Sequence, residues 1–227
     1  MYPCSGRFHL SPVLNAVAYT PKDSFYRRAK KEGYRSRAAY KLLELNQRFH
    51  LIRPGDRVVD LGAAPGGWLQ VISQLVGPKG RAIGVDLQPI IPFPSENIVV
   101  LRGDVTDPEV ATKLKGFLPS GANVVLSDMS PRLTGIREAD VSRSVELNRV
   151  ALQAATGLLR AGGHFLVKAF VAGEIETFFK ELKERFRSVQ RTRPEATRKG
   201  SSEIYLIAMS FTGPLKASDE ITPPSRS

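Results

Sequence analysis

The chain has 227 residues, of which 42% are hydrophobic, so it is long enough to bury the core of a single α/β domain. Its 33 Lys and Arg residues against 22 Asp and Glu give a formal charge of +11, which favours a polyanionic partner, with nucleic acid ahead of an anionic membrane surface. The apolar runs are too short for a membrane-spanning helix or a signal peptide, and the single cysteine, Cys4, excludes an internal disulfide and a cysteine-rich metal site.

The two ends of the chain differ in composition from its middle. Residues 1–21 contain three scattered prolines and are predicted to form an irregular N-terminal segment, while residues 213–227 are predicted to form a flexible tail. The working domain is therefore expected over residues 22–212. It opens with basic helices over residues 22–53, where apolar residues recur at helical spacing and Gly33 divides the pattern into two helices.

Short apolar runs alternate with helix-length segments through the rest of the domain. The first five runs cover residues 57–61, 81–86, 98–102, 123–127 and 164–168. This alternation predicts a parallel sheet wrapped by helices. Two further runs, 186–190 and 204–209, are separated by a stretch too short for a crossover helix and are predicted to form a hairpin. The expected fold is a Rossmann-like α/β domain with a mostly parallel seven-stranded sheet, an antiparallel C-terminal edge hairpin and helices on both faces.

A glycine-rich turn leads from the first strand into the next helix. Its sequence is Asp60-Leu61-Gly62-Ala63-Ala64-Pro65-Gly66-Gly67-Trp68. Such a turn lets a ligand approach backbone N–H groups at a helix N-terminus. Gly62 and Gly66 bracket Ala-Ala-Pro, so the GxGxxG pattern of dinucleotide sites is missing and a dehydrogenase is disfavoured. A ligand with one carboxylate and one ribose fits better.

Two aspartates extend this candidate ligand site. Asp86 ends the second strand, where a carboxylate accepts hydrogen bonds from ribose hydroxyls, and Asp104 follows the third strand, within reach of an adenine amino group. Together with the turn they predict a site for S-adenosylmethionine (SAM). The alternative is a tight glycine turn and two helix-capping aspartates.

Three stretches of the sequence resemble the FtsJ/RlmE family of ribosomal RNA 2′-O-methyltransferases, over about Asp23 to Thr212. They are Gly33-Tyr34-Arg35-Ser36-Arg37-Ala38-Ala39-Tyr40-Lys41-Leu42, Asp60 to Trp68, and Ser127-Asp128-Met129-Ser130-Pro131. The resemblance implies a catalytic set at Lys41, Asp128, Lys168 and Glu203. It implies SAM as methyl donor, with cofactor contacts at Gly66, Trp68, Asp86, Asp104 and Asp128, to which we add the turn residues Gly62, Pro65 and Gly67. One departure is Pro131-Arg132-Leu133-Thr134-Gly135, in the expected substrate loop.

Three of the four implied catalytic residues are expected at one sheet edge without reference to the family. Asp128 and Lys168 stand at the carboxyl ends of parallel strands, and Glu203 begins a strand predicted to be antiparallel. The placement of Lys41 rests on the resemblance. A lysine acts as a base only where burial or a second cation lowers its pKa, and Lys168 follows an apolar run. We therefore predict Lys168 as proton acceptor, with the two carboxylates orienting the lysines.

Basic residues concentrate in two parts of the chain. There are 11 Lys and Arg residues between Lys22 and Arg57, and eight between Lys180 and Gly200. These clusters predict a phosphate-tracking surface, although solvated helix faces are the alternative. The predicted RNA-binding residues are Arg27, Arg28, Lys30, Lys31, Arg35 and Arg37.

The resemblance implies a uridine of 23S ribosomal RNA in the large ribosomal subunit as substrate, in a bacterial cytoplasm, with no membrane partner. A monomer is expected. The alternatives are a noncatalytic RNA-binding or ribosome-assembly factor that keeps the fold, and a 2′-O-methyltransferase acting on tRNA. Pyrimidine C5 methylation is disfavoured because the only thiol, Cys4, lies in the irregular segment. A metal cofactor is not expected, because acidic ligands do not cluster in the sequence.

Overall fold

The protein is described by a computed structural model over residues 24–131, 137–171, 175–197 and 200–213. The predicted irregular segment 1–21, with Cys4, lies outside the described residues. The predicted tail beyond residue 213 and residues 132–135 of the expected substrate loop lie outside them as well.

Helices and strands alternate along most of the described chain. In chain order they are α1 (Ser24–Lys31), α2 (Ala39–Phe49), β1 (Arg57–Leu61), α3 (Gly67–Val76), β2 (Arg81–Asp86), β3 (Ile98–Arg102), α4 (Pro108–Gly116), β4 (Ala122–Ser127), α5 (Arg137–Leu158), β5 (Leu159–Phe170), α6 (Ile175–Arg185), β6 (Phe186–Thr192) and β7 (Glu203–Phe211). The two predicted N-terminal helices are confirmed as α1 and α2. Gly33 lies between them with a φ of +78°, a backbone conformation that glycine adopts without steric cost.

The strands form one seven-stranded sheet in the order β3-β2-β1-β4-β5-β7-β6. β1 pairs in parallel with β2 and β4, and β4 pairs in parallel with β5. β7 runs antiparallel to both β5 and β6, so the predicted C-terminal hairpin is confirmed at the sheet edge. Because β7 runs antiparallel to β5, its first residue, Glu203, lies opposite Phe170 at the edge where β4 and β5 end.

The connection between β2 and β3 departs from the predicted alternation. Residues 87–97 contain no helix, so the expectation of a helix-length crossover was wrong here. Pro89, Pro92 and Pro94 each lack the backbone N–H that a helix interior needs, which explains the irregular course. We call residues 87–97 the β2–β3 loop.

Alternate residues of the strands divide the core into two layers, one on each side of the sheet. On one side Val58 of β1 packs among buried residues of α2 and α3, and on the other Val59 packs with those of α4, α5 and α6. Helices therefore cover both faces, as predicted. In the part of the chain that the structure describes, no helix has the length and apolar character that crossing a bilayer requires.

Candidate active site

A cleft of about 550 Å³ opens at the carboxyl ends of the first four strands. Open α/β sheets bind ligands at this edge, and the volume suits a small-molecule site. Four of the predicted cofactor residues line the cleft, namely Gly62, Asp86, Asp104 and Asp128.

Gly62 brings the backbone of the turn close to its neighbours. It has a φ of +78°, and a Cβ atom at this position would lie 2.5 Å from Cγ of Met129. A side chain would therefore both strain the backbone and displace Met129, which lines the cleft.

Asp86 and Asp104 shape the rim of the cleft through backbone contacts. Asp86 accepts hydrogen bonds from the backbone N–H groups of Ala64 at 2.9 Å and Gln88 at 2.8 Å, which ties the glycine turn to the end of β2. Asp104 accepts hydrogen bonds from the N–H and hydroxyl of Thr106, which lower its pKa. Asp104 does not cap a helix, because the N-cap residue of α4 is Asp107.

The other predicted cofactor residues, which belong to the second half of the turn, are not among the residues that line this cleft. Pro65 is exposed, and Gly66 and Gly67 are buried at the start of α3. The indole N–H of Trp68 donates to the carbonyl of Ala38 at 2.8 Å, and the side chain is buried in the core. Cofactor contact by these four residues stays a prediction.

The four implied catalytic residues come together as two ion pairs. Lys168 Nζ lies 3.1 Å from Oδ1 of Asp128 and donates to the Asp128 carbonyl at 2.6 Å. Lys41 reaches over the sheet edge from α2 and pairs with Glu203. The two lysines are only 7% and 6% exposed, so both ammonium groups depend on these partners. We call these four residues the sheet-edge cluster.

Tyr205 joins the two ion pairs and was missed by the sequence analysis. Its hydroxyl donates to Oδ1 of Asp128 at 2.9 Å and also interacts with the Glu203 carboxylate, while Lys41 Nζ lies 5.6 Å from the ring centroid. Burial, together with the neighbouring carboxylates, raises the pKa of Tyr205 well above its ordinary value. The available signal was its spacing, because residues two apart on a strand share a face and Glu203 had already been singled out.

Asp60 lies beneath the cleft with a fully buried carboxyl group. Neither of its oxygens has a hydrogen-bond partner among the described residues. Burial raises the pKa of Asp60 well above its ordinary value, and the charges of Asp128 and Asp86 raise it further. The raised pKa favours the neutral carboxyl group, which places no additional negative charge beside the ion pairs.

The predicted RNA-binding residues fall into two groups. Arg27, Lys30 and Lys31 are exposed on α1, and we call them the α1 face. Arg28, also exposed, pairs with Glu32 and stacks on Tyr40.

The two arginines that follow α1 are turned toward the protein itself. Arg35 donates to the carbonyls of Ile91 and Pro92, and Arg37 donates to the carbonyl of Ala196. RNA contact by any of these basic residues stays a prediction. Among the described residues, no group of three or more His, Cys, Asp or Glu side chains could hold a metal ion.

The sequence is similar to one known family over most of its length. The family described as FtsJ-like methyltransferase matches residues 34–211. A ribosomal RNA large subunit methyltransferase E from Methanothermobacter thermautotrophicus is 49% identical over 192 residues, which cover 85% of this chain and 91% of that protein. The protein of the same name from Methanococcus aeolicus is 49% identical over 197 residues, covering 87% of this chain and 73% of that protein.

Solved structures share the fold. A ribosomal RNA methyltransferase from Plasmodium falciparum superposes with a TM-score of 0.72 at 30% identity, covering 79% of this chain and all of that chain. Fibrillarin from Aeropyrum pernix, solved with bound SAM, superposes with a TM-score of 0.53 at 21% identity, covering 78% of this chain and 75% of that chain. At that identity the fibrillarin likeness shows the fold alone.

Proposed function

Because the chain belongs to the FtsJ-like methyltransferase family, we propose that this enzyme transfers a methyl group from SAM to a ribose 2′-hydroxyl of RNA, specifically a uridine of 23S ribosomal RNA in the large subunit. The relatives named for large-subunit ribosomal RNA support the substrate. One observation carries the reaction: two buried lysine–carboxylate pairs meet at Tyr205, and Asp128 of this cluster lines the cleft.

The residues of the cleft fit SAM. A volume of about 550 Å³ accommodates a nucleoside with an amino-acid arm. Asp86 would accept from the ribose hydroxyls and Asp104 from the adenine amino group, while Gly62 lets the backbone approach the ligand. When bound, SAM supplies an electrophilic methyl group on its sulfonium sulfur. As a proposal, no metal takes part.

Lys168 is the proposed proton acceptor for the ribose 2′-hydroxyl. Lys168 would enter this step as a neutral amine, after losing a proton to solvent, with its Nζ held in place by the carboxylate and carbonyl of Asp128. As the new O–C bond forms and the methyl–sulfur bond breaks, the hydroxyl proton would pass to the lone pair of Nζ, and the demethylated cofactor would leave as a neutral thioether. Lys41 and Glu203 form the second ion pair, and Tyr205 links this pair to Asp128. These contacts fix the orientation of the side chains that surround the ribose 2′-hydroxyl in the proposed complex. Much of the rate enhancement then comes from positioning.

The RNA chain is proposed to lie along the α1 face, whose exposed cations attract phosphates in a salt-dependent manner. The requirement for a 2′-hydroxyl selects RNA over DNA. A monomeric state and a cytoplasmic location remain predictions from the sequence.

The function is tested with methyl-labelled SAM and three substrates: naked 23S ribosomal RNA, assembled large subunits and tRNA. We expect label in a 2′-O-methyluridine of large-subunit RNA, located by nuclease digestion. Lys168→Ala should lower the rate by about 10³-fold or more. Lys115→Ala, which removes an exposed lysine of α4 outside both basic clusters, is the matched control.

Other outcomes would redirect the proposal. Label confined to tRNA would move the substrate while preserving the chemistry. SAM binding without transfer to any of the three RNAs would favour a noncatalytic assembly factor instead.

A further inference from the structure

We propose that Arg35 is a positioning residue of the SAM site, which clamps the β2–β3 loop against the glycine turn. The inference rests on the proposed function, because it assumes that the cleft binds SAM. It also gives Arg35 a role other than the phosphate contact expected from its basic sequence context.

The guanidinium group of Arg35 bridges two segments of the chain. It donates to the carbonyls of Ile91 at 2.5 Å and Pro92 at 2.8 Å in the β2–β3 loop, and to the carbonyl of Pro65 in the glycine turn at 3.4 Å. Its planar face lies 3.5 Å from the ring centroid of Phe93. A planar fork that donates from two nitrogens and stacks on a ring is a combination that lysine cannot reproduce.

The glycine turn packs directly against this arginine and its stacking partner. A Cβ atom on Gly66 would lie 2.5 Å from Cζ of Phe93 and 3.2 Å from Nη1 of Arg35. The turn, the guanidinium and the ring therefore form a closely packed stack. Movement of Arg35 or Phe93 opens space directly behind the turn.

The backbone that carries Arg35 is fastened to α3. Gln70 accepts from the N–H of Arg35 at 2.8 Å and donates to the carbonyl of Gly33 at 2.9 Å. Tyr34 donates to Gln74, and Trp68 donates to the carbonyl of Ala38. Arg35 therefore projects from a support that is itself anchored to the helix beginning at the glycine turn.

The clamped loop supplies part of the cleft wall. Leu87 and Gln88 line the cleft at the start of the loop, and Leu87 is 64% exposed. Because the loop has no helix, its shape depends on contacts such as those of Arg35 with Ile91 and Pro92. Loss of the clamp should therefore weaken SAM binding while leaving the exposed cations of α1 in place.

The test compares SAM and RNA affinities of Arg35→Gln and Arg35→Lys with those of Arg27→Gln on the α1 face. SAM dissociation constants are measured by calorimetry, and RNA dissociation constants by filter binding over a range of salt concentrations. Both Arg35 variants should raise the Kd for SAM roughly tenfold, which corresponds to one charge-assisted hydrogen bond, with RNA binding changed by less than about twofold. Arg27→Gln should weaken RNA binding alone.

Arg35→Lys separates the clamp from a simple charge effect, because it keeps the positive charge and loses the fork. Wild-type SAM affinity in Arg35→Lys, or weaker RNA binding with a smaller salt dependence in Arg35→Gln, would overturn the inference in favour of a phosphate contact. If Arg35→Gln does not fold, Phe93→Leu removes the stacking ring and leaves the arginine, and an unchanged Kd for SAM in that variant would also overturn it. Failure of the wild-type protein to bind SAM would instead overturn the proposed function.

Discussion

Charged side chains occupy two contrasting settings in this protein. In the sheet-edge cluster, Lys41 and Lys168 are buried and each is held by a carboxylate. On the α1 face the cations are exposed. Removing the partner of a buried charge costs much free energy, because the remaining charge is left without solvent or a counterion. Exposed charges each contribute little, attract a polyanion collectively and are screened by salt. The first setting suits chemistry at one atom, and the second suits attraction of a polyanion.

Arg35 shows that residues close in sequence can differ in whether their charge is exposed or engaged with the protein. It lies four residues after Lys31 of the α1 face, yet its guanidinium is engaged with carbonyls of the β2–β3 loop. The number of basic residues in a stretch of sequence is therefore larger than the number of cationic side chains that are free to contact RNA.

Asp128→Asn, in the buried sheet-edge cluster, is expected to have the largest effect on activity. The substitution removes the ion pair with Lys168 and keeps an oxygen that accepts from Tyr205. We expect kcat for methyl transfer to fall by about 10²-fold, measured at saturating SAM and RNA, because Lys168 loses its fixed orientation. Asp107→Asn, which preserves the N-cap of α4, is the control. A wild-type kcat for Asp128→Asn would contradict the assignment.

Replacing the α1 face should produce the next largest effect, on binding instead of catalysis. In the triple variant Arg27→Gln, Lys30→Gln and Lys31→Gln, the Kd for RNA should rise about tenfold at low salt, and the slope of log Kd against log salt should decrease by roughly 2. The kcat at saturating RNA should stay at the wild-type level.

The matched control changes net charge equally in another region. Lys79, Lys113 and Lys115 are exposed lysines outside the α1 face. If their replacement by glutamine weakens RNA binding as much as the α1 variant, the attraction is due to overall charge and the α1 face has no special role.

Tyr205→Phe tests the link between the two ion pairs. Loss of the hydroxyl that donates to Asp128 should lower kcat roughly fivefold, a change typical of one lost hydrogen bond. Because the pKa of Tyr205 is raised well above its ordinary value, the hydroxyl stays protonated in the wild type, and the ratio of the two rates should be the same at pH 7 and pH 9. Tyr26→Phe, at an exposed tyrosine, is the control. A ratio that changes between pH 7 and pH 9 would show that Tyr205 ionises in this range.

The last prediction concerns stability instead of activity, at Asp60, whose buried carboxyl group has no hydrogen-bond partner among the described residues. Its pKa is raised in the folded state, so the folded chain retains a proton that the unfolded chain releases, and wild-type stability falls as pH rises above the unfolded value. Asp60→Asn removes this loss. Between the pKa of Asp60 in the unfolded chain and its pKa in the folded chain, the free energy of unfolding of the variant should rise relative to that of the wild type. The expected rise is up to about 1.4 kcal/mol per pH unit.

Urea unfolding of both proteins at pH 5 and pH 7 checks this expectation. A difference between variant and wild type that stays constant between pH 5 and pH 7 would contradict a pKa of Asp60 raised well above its ordinary value in the folded chain.

Much of the site could be predicted because strand ends in a parallel sheet meet at one edge. Asp128, Lys168 and Glu203 were placed together from strand order and direction alone, and the structure shows that arrangement. The β2–β3 loop was not predicted, because its length suited a helix and the effect of its prolines was overlooked. Tyr205 was also missed, since an aromatic residue on an apolar strand reads as core until its neighbours are known.

The sequence by itself determined the features that depend on local periodicity and backbone conformation. These are the succession of strands along the chain, the glycine turn and the excess of positive charge. Only the tertiary structure decided which charges are paired, which guanidinium groups face the protein, and that Lys41 reaches Glu203 across 162 positions of sequence. The physical reason is that burial and hydrogen bonding of a side chain depend on residues distant in sequence, and their identity is fixed only when the sheet and helices pack together.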